Sequence, residues 1–349
     1  MKKFILCSLL FAFCPFGAHA EAGAFDIDRW YMILHDIQNR AIEMKISNHT
    51  INSVIQPSNF IPAVLQNDKN QSEFKLSLEQ YLSRMVNEAR IANGKKMRAK
   101  YPTLLSKIDK KYGIPPHVIM AFWGLESNYG EFKARYKLSD AFLTLIYDGR
   151  REAFFTSQLF SLMKTADKNN IEISEIRGSW AGAMGHFQFI PTSLEQYGAD
   201  GNNDGKVDIT NSIGDAMFSA GNYLAKLGWN KNEKIVRKVK LPVGFDESLC
   251  DGRTKKTLGE WRALGLTGVP NANMTAGLVC DAAALRQAAE QRAQDNSNLE
   301  LSSSGAAPFP ALGPANLAYL TYPNFYRIKK WNNSNWYATA IALLAEELK

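Results

Sequence analysis

An apolar segment over residues 118–125 restricts the fold of this chain more than any other stretch of its sequence. Pro115 and Pro116 can begin a helix in front of it, and Gly130 can end that helix behind it. The segment leads directly into one carboxylic acid, Glu126. The negative end of the helix dipole and the apolar neighbours both disfavour ionisation there, which is what a general acid requires near neutral pH. A solvated glutamate at a helix end is the alternative interpretation.

The N-terminus has the pattern of a secretory signal peptide. Two lysines after Met1 precede an apolar run over residues 4–16 and the small-residue pattern A-H-A at residues 18–20. The run is too short to span a bilayer, and no later segment is apolar enough to do so. We therefore predict a signal peptide over residues 1–20, no transmembrane segment and an exported mature protein.

The charge of the chain is mildly positive. The formal charge of +7 falls to +5 when the two signal-peptide lysines are removed. Such an excess suits an anionic polymer, although it is also common in ordinary soluble proteins. The basic residues are spread along the sequence without an arginine-rich run, so we expect no nucleic-acid partner.

Two of the four cysteines, Cys7 and Cys14, lie in the predicted signal peptide. The other two, Cys250 and Cys280, would meet an oxidising compartment, which favours a disulfide between them. Closing this loop would stabilise the fold by about 3–4 kcal/mol in the chain-entropy model. A catalytic thiol is the alternative, but no histidine lies nearby in the sequence.

The length and periodicity of the chain predict several lobes. With 349 residues, 46% of them hydrophobic, the chain can form two or three. The predicted segments are the signal peptide (1–20), an N-terminal helical lobe (21–110), a central segment with Glu126 (111–233), a small mixed subdomain with a long loop (234–318) and a C-terminal segment (319–349).

Local patterns predict individual elements. Residues 79–94 predict one helix that ends at Asn93 and Gly94, and residues 139–166 predict one or two helices. Short strands are predicted soon after Lys234, and an amphipathic helix is predicted over residues 335–347.

Arg150 and Arg151 interrupt the apolar pattern of the predicted helices. On spacing alone, solvated surface charge is the favoured interpretation of this pair.

Residues 178–191 combine three glycines with alternating aromatic and polar side chains. The glycines let the backbone approach either another helix or a ligand. Sugar-binding clefts need this mixture, because apolar sugar faces rest on aromatic rings while hydroxyls need fixed polar partners. Tight helix packing explains the glycines equally well, and both interpretations stay open. Thr192 and Glu195 then have the spacing of a helix capping box.

Residues 200–211 fit the first part of a calcium-binding loop. Side chains that carry oxygen occupy positions 1, 3, 5 and 9 of the loop, and a glycine occupies position 6. Position 12 should supply a bidentate carboxylate, but Asn211 supplies an amide. Asp215 lies beyond that position and would need a different loop path to help. A hydrated turn is the alternative.

Several chemistries lack support. The histidines show no zinc-binding spacing and are each interpreted as structural; they are His19, His35, His49, His117 and His186. No nucleophile elbow, phosphate-binding loop or dinucleotide fingerprint is present. The sequence therefore favours neither metal hydrolysis nor serine hydrolysis nor nucleotide chemistry.

The order of Glu126-Ser-Asn-Tyr-Gly130 and then residues 178–191 resembles the lytic murein transglycosylases. The resemblance is strongest to the membrane-bound lytic transglycosylase B family, glycoside hydrolase family 103. It extends over about residues 75–230 and 319–349. It implies a mainly α fold in which residues 111–233 form a lysozyme-like catalytic core, with an N-terminal helical lobe and a small mixed α/β subdomain. It also implies that the C-terminal segment returns to the catalytic cleft.

The resemblance implies cleavage of peptidoglycan glycan strands between N-acetylmuramic acid and N-acetylglucosamine. Glu126 matches the family's single catalytic acid, which protonates the glycosidic oxygen and then accepts the proton of the muramic acid 6-hydroxyl as a 1,6-anhydro ring closes. No cofactor is implied for catalysis. A lysozyme-type hydrolase on the same fold and a non-catalytic peptidoglycan-binding protein are the alternatives.

The resemblance also assigns binding residues. Those matched to the sugar sites and the reacting ring are Ser179, Met184, Gln188, Phe189 and Tyr223. Those matched to peptide-bearing sugars or to other parts of the cleft are Arg150, Arg151, Tyr81, Trp331, Asn332 and Tyr337, with Trp331 standing where the family usually has tyrosine. Those matched to a structural calcium loop are Asp200, Asn202, Asp204, Lys206 (through its carbonyl) and Asn211.

Overall fold

The computed structural model describes residues 25–69, 76–132, 134–287, 290 and 317–349. The predicted signal peptide lies outside these residues. The described chain forms two compact units. The helical unit contains the described residues of 11–72 and 93–226, and the mixed unit contains those of 73–92 and 227–349. The boundaries of the five segments predicted from sequence stay predictions.

Helices are the main secondary structure of the described chain, as the sequence predicts. In chain order they are α1 (Ile27–Glu43), α2 (Asn48–Ile55), α3 (Pro62–Lys69), α4 (Leu78–Met85), α5 (Glu88–Lys100), α6 (Pro102–Tyr112), α7 (Pro116–Ser127), α8 (Leu138–Asp148), α9 (Glu152–Asn169), α10 (Pro191–Tyr197), α11 (Ile213–Lys226), α12 (Leu258–Ala263), α13 (Pro323–Trp331) and α14 (Asn335–Glu347). Among the described residues, no helix is both long enough and apolar enough to cross a membrane.

Helix α7 forms the centre of the helical unit. Its apolar residues from Val118 to Gly124 are all buried, and it packs against α6 and α11. Burying a large apolar side chain contributes about 1.5–3 kcal/mol, so this helix is fixed mainly by its own hydrophobic run. Pro115 precedes its first turn, as predicted. The C-cap residue of this helix is Asn128 and not Gly130 as predicted, because asparagine also tolerates the left-handed conformation that the cap requires.

The predicted helix over residues 79–94 is wrong, because the structure has two helices there. Helix α4 ends at Met85, and α5 begins at Glu88 and continues through Gly94. Asn87 causes the break, since its side chain donates to the carbonyl of Arg84 and accepts the N–H of Arg90. A side chain that satisfies these backbone groups starts a new helix in place of the old one.

Contacts between helices decide two further predictions, one for residues 139–166 and one for the capping box at Thr192. Residues 139–166 form two helices, α8 and α9, which pack together. The predicted capping box at Thr192 is absent, because the backbone N–H and the hydroxyl of Thr192 both donate to the side chain of Gln158. Glu195 instead accepts a hydrogen bond from Ser161.

The mixed unit contains an antiparallel sheet in the order β3-β6-β5-β4. The strands are β3 (Val236–Lys240), β4 (Lys256–Thr257), β5 (Thr275–Cys280) and β6 (Leu317–Thr321); the short pair β1 (Tyr136–Lys137) and β2 (Arg177–Gly178) belongs to the helical unit. Trp261 is fully buried beneath the sheet and donates from its indole to the carbonyl of Ala276 at 2.8 Å. The short strands predicted after Lys234 are thus confirmed, and most of the long loop lies outside the described residues.

The cysteines predicted to pair form a disulfide. Cys250 ends a 3-10 turn and Cys280 ends β5, with a Cα–Cα distance of 5.2 Å. The bond links residues 30 positions apart and lies within the apolar core of the mixed unit.

Candidate active site

Glu126 is the last residue but one of α7 and is partly buried. Three successive residues with positive φ, Asn128, Tyr129 and Gly130, turn the chain sharply after the helix. Left-handed non-glycine residues are uncommon and cost of order 1–3 kcal/mol each, and they cluster at functional sites. The chain therefore presents Glu126 at a helix end of defined and strained geometry.

Residues 178–190, here called the glycine-rich loop, contact the end of α7. The hydroxyl of Ser127 donates to the carbonyl of His186 at 2.6 Å. The indole N–H of Trp123 donates to Nδ1 of His186 at 3.2 Å. These contacts join two motifs that the sequence singles out separately.

Hydrogen bonds within the glycine-rich loop order most of the predicted sugar-binding residues. Met184 and Phe189 exchange two backbone hydrogen bonds, and the Ser179 hydroxyl accepts the N–H of Ala183. Gln188 has a φ of +46° and donates from its side chain to the carbonyl of Gly185 at 2.9 Å. The loop is thus a fixed structure.

The two phenylalanine side chains of the glycine-rich loop are buried, whereas rings that stack on sugars would be exposed. Phe187 and Phe189 are almost completely buried, and so is Met184. Phe187 stacks near Trp123, and the close approach of Gly182 is to the ring of Phe142. Protein packing, one of the two interpretations left open by the sequence, therefore explains these aromatic rings and this glycine.

Tyr223 lies next to this loop on α11. Its ring is 5.9 Å from that of Phe189 and stacks on Tyr197 at 4.2 Å. Burial raises the pKa of Tyr223 to about 12, so its hydroxyl stays protonated even well above neutral pH. The structure thus brings Ser179, Met184, Gln188, Phe189 and Tyr223 into one region of the helical unit.

Arg150 and Arg151 share one carboxylate. Both guanidinium groups pair with Asp68 of α3, and Arg150 also pairs with Asp148 at 2.6 Å. Asp68 is buried, whereas the two arginines remain partly exposed. The buried carboxylate of Asp68 therefore holds the two guanidinium groups in place. Arginines that served only as surface charge would not need such a partner.

The remaining predicted cleft residues belong to the mixed unit. Tyr81 on α4 lies 5.7 Å, ring to ring, from Trp336 on α14. Trp331 ends α13 and Asn332 follows it, both partly buried. Tyr337 is buried, and its N–H donates to the N-cap hydroxyl of Ser334. The role of these residues in a cleft stays a prediction.

The Asp200 loop turns its polar side chains onto its own backbone. Asp200 accepts the N–H groups of Asn203 and Gly205, and Asp204 accepts that of Lys206. The Asn211 amide donates to Asp208. Across the part of the chain that the structure describes, no three His, Cys, Asp or Glu side chains are placed to hold a metal ion.

The family to which this chain belongs follows from comparison with known proteins. A family model described as the transglycosylase SLT domain matches residues 30–346, which is most of the chain. The chain belongs to the transglycosylase SLT family. The resemblance found in the sequence is thus confirmed.

One curated relative of this chain is the membrane-bound lytic murein transglycosylase B of Escherichia coli K12. It is 27% identical over 272 residues, which cover 76% of this chain and 66% of the relative. The chain therefore spans slightly less than two thirds of that relative's length.

Two solved structures share the fold of this chain. SltB3 of Pseudomonas aeruginosa, in complex with NAG-NAM-pentapeptide, is 32% identical with a TM-score of 0.78, covering 91% of this chain and 79% of its own. The Escherichia coli lytic transglycosylase Slt35, in complex with calcium, is 22% identical with a TM-score of 0.74, covering 90% of this chain and 92% of its own. The predicted mainly α, lysozyme-like fold is confirmed.

Sequence reasoning missed several residues of this region. The sequence indicates only a structural role for His186, and it assigns no role to Asp68, Ser127 or Tyr197, although Ser127 lies within the Glu126–Gly130 motif. Their partners lie far away in the sequence, so no local pattern could reveal them.

Proposed function

We propose that this SLT-family chain is a lytic transglycosylase that cleaves peptidoglycan glycan strands between N-acetylmuramic acid and N-acetylglucosamine. The products would carry 1,6-anhydromuramic acid ends. One observation carries the proposal: Glu126 lies at the partly buried end of α7, and its neighbours in that helix bond to the glycine-rich loop. Family membership and the NAG-NAM-pentapeptide bound by SltB3 support this class of substrate.

In the proposed reaction, Glu126 acts first as acid and then as base. Its carboxylic acid gives a proton to the glycosidic oxygen as the bond to C1 of muramic acid breaks. The carboxylate then accepts the proton of the muramic acid 6-hydroxyl, whose oxygen bonds to C1. The glutamate ends in its starting protonation state, and no water is consumed. A positioned general acid or base contributes about 10²–10⁴-fold to a rate.

The other predicted site residues would bind the glycan. Ser179, Gln188 and the protonated Tyr223 offer polar groups in one region of the helical unit, and fixed polar groups suit sugar hydroxyls. Arg150 and Arg151 offer positive charge, which suits the carboxylates of a peptide stem. The residues of the mixed unit, Tyr81, Trp331, Asn332 and Tyr337, are proposed to contribute from the C-terminal segment and α4.

Product analysis tests the proposal. The mature wild-type protein and Glu126→Gln are incubated with purified sacculi, and the released muropeptides are analysed by mass spectrometry. Glu131→Gln is the matched control, because Glu131 is an exposed glutamate five residues further on. We expect anhydro ends from the wild type and the control, and a loss of at least about 100-fold with Glu126→Gln.

Other products would point to the alternatives. Reducing ends, heavier by one water, would assign the chain to the lysozyme-type hydrolases. If the folded wild type bound sacculi without releasing products, a peptidoglycan-binding role would replace the enzymatic one. Near-normal turnover by Glu126→Gln would refute the assignment of Glu126.

We also propose that the mature protein is periplasmic, with residues 1–20 removed as a signal peptide. The proposal rests on the N-terminal sequence and on the location of the substrate. N-terminal sequencing of protein released from the periplasm should begin after residue 20. A full-length N-terminus would contradict cleavage.

For the Asp200 loop, we propose a weak structural calcium site with no part in catalysis. Two carboxylates, two side-chain amide oxygens and the carbonyl of Lys206 supply the hard oxygen ligands that calcium prefers. The missing carboxylate at position 211 lowers the charge of this donor set, so the affinity should be low. Calcium should raise the unfolding temperature of the wild type but not of Asp200→Asn, and an equal response of both would contradict the site.

A further inference from the structure

The ring of His186 fills the space between the end of α7 and the turn that follows it. Its Nδ1 atom accepts the Trp123 indole N–H, and the two rings meet edge to face at 5.6 Å. On the other side, the ring lies against Gly130 so closely that a β-carbon there would be 2.6 Å from Nδ1 and Cε1. The ring therefore contacts the chain both before and after Glu126.

The direction of the hydrogen bond fixes the state of the ring. An indole nitrogen can only donate, so Nδ1 of His186 must accept, and the neutral ring carries its proton on Nε2. Burial lowers the pKa of His186, and the nearby Asp208 opposes this shift. Burial thus favours the neutral form that the hydrogen bond requires.

The backbone of His186 adds two further connections. Its carbonyl accepts the Ser127 hydroxyl at 2.6 Å, and the same hydroxyl oxygen accepts the N–H of Gly130 at 2.9 Å. Its N–H donates to the carbonyl of Ile209, which lies in the C-terminal segment of the Asp200 loop. His186 is therefore held from that segment while it contacts α7.

These contacts are made by residues on both sides of Glu126 along the chain. Trp123 and Ser127 are four residues apart and lie on the same face of α7, with Glu126 between them in the sequence. A shift of the helix end would break the indole bond and the hydroxyl bond together. Displacement of a catalytic group by about 1 Å can cost roughly 100-fold in rate.

We propose that His186 is a positioning residue, which holds the end of α7 through Trp123 and Ser127 and thereby sets the location of the Glu126 carboxyl group. The inference rests on the proposed function, because it assigns His186 to the same reaction. His186 itself takes no proton from the substrate and gives none.

Two substitutions of His186 separate positioning from packing. Asparagine can place an oxygen near the location of Nδ1, whereas glutamine places its amide near that of Nε2. His186→Asn should therefore keep an acceptor for Trp123, and His186→Gln should lose it. We expect kcat to fall about 10- to 100-fold in His186→Gln with KM within about twofold, and to stay within about threefold of wild type in His186→Asn.

Three measurements make the test decisive. They are kcat and KM on sacculi, the thermal unfolding midpoint, and the chemical shift of the Trp123 indole proton. An unchanged kcat in His186→Gln would overturn the inference and leave the proposed function intact. Equal losses of kcat and unfolding temperature in both variants would show a packing role and would also overturn it. Absence of anhydro products from the wild type would refute the proposed function, and with it the reaction that His186 is inferred to serve.

Discussion

The buried carboxylate of Asp215 accepts the backbone N–H of Asp208 at 2.8 Å. Its other oxygen accepts the N–H groups of Gly201 at 2.9 Å and Asn202 at 3.3 Å. Asp215 therefore joins both ends of the Asp200 loop to α11. The loop is ordered by an acid that lies outside the twelve positions from which a calcium loop would be recognised.

Replacing Asp215 with asparagine should destabilise the helical unit. Asparagine retains one oxygen, and its NH₂ group would face backbone donors that have lost their acceptor. A buried donor without a partner costs about 1–3 kcal/mol, so urea denaturation should show a loss of this size. Asp204→Asn is the matched control, because Asp204 is exposed in the same loop. Equal losses in the two variants would contradict the anchoring role of Asp215.

Gly130→Ala should cost more than Gly205→Ala, although the two glycines have nearly the same φ. Their φ values are +88° and +84°, so each alanine bears a left-handed strain of about 1–2 kcal/mol. Only at Gly130 would the new β-carbon meet another group, the ring of His186 at 2.6 Å, whereas nothing lies within 4 Å at Gly205.

Urea denaturation and kcat measure this difference. Gly130→Ala should lose more stability than Gly205→Ala and should also lose turnover, because the displaced ring contacts α7. Equal effects of the two substitutions would mean that the His186 ring adjusts without cost.

The sequence predicts what short-range patterns determine. Helix α7 follows from an apolar run behind two prolines, and helix α14 has the bounds that its periodicity predicts. The break between α4 and α5 does not follow from periodicity, because it depends on the side-chain bonds of Asn87. Helix propensity and periodicity do not show where one side chain will cap the backbone and end a helix.

The contacts of the candidate site are even harder to predict from local sequence patterns than helix boundaries are. The resemblance points to Glu126 and to the glycine-rich loop, but not to how they are joined. Trp123 and His186 are 63 residues apart, and Arg151 and Asp68 are 83 residues apart. Such pairs depend on the folded topology, so one sequence alone gives the residue types of the site without its contacts.

Removing the carboxylate of Asp68, which pairs with Arg150 and Arg151, should weaken both stability and substrate binding. In Asp68→Asn the two guanidinium groups lose a carboxylate that is only 4% exposed, while they themselves are 50% and 36% exposed. Solvent therefore reduces the loss, which we expect to be about 1–2 kcal/mol in urea denaturation. KM for peptide-bearing glycan should rise, whereas KM for glycan without peptides should change little.

Asp36→Asn is the matched control for this prediction. Asp36 also pairs with an arginine, Arg40 at 3.0 Å, but both side chains are exposed. Exposed pairs contribute well under about 1 kcal/mol, so this variant should resemble the wild type. A loss in Asp68→Asn no larger than in Asp36→Asn would contradict a buried role for Asp68.

Acid should destabilise the helical unit through Glu172. A hydrogen bond from His49 at 2.8 Å, with further bonds from Ser174, lowers the pKa of Glu172 from its usual 4.5 to about 2. Because the folded pKa is below the unfolded one, the ionised form favours the folded state. This contribution is complete above pH 4.5 and disappears as the pH falls to about 2.

Urea denaturation of Glu172→Gln over this range should show a shallower loss of stability than the wild type, with exposed Glu175→Gln as the control. Parallel curves for the wild type and Glu172→Gln would show that other carboxylates cause the acid sensitivity.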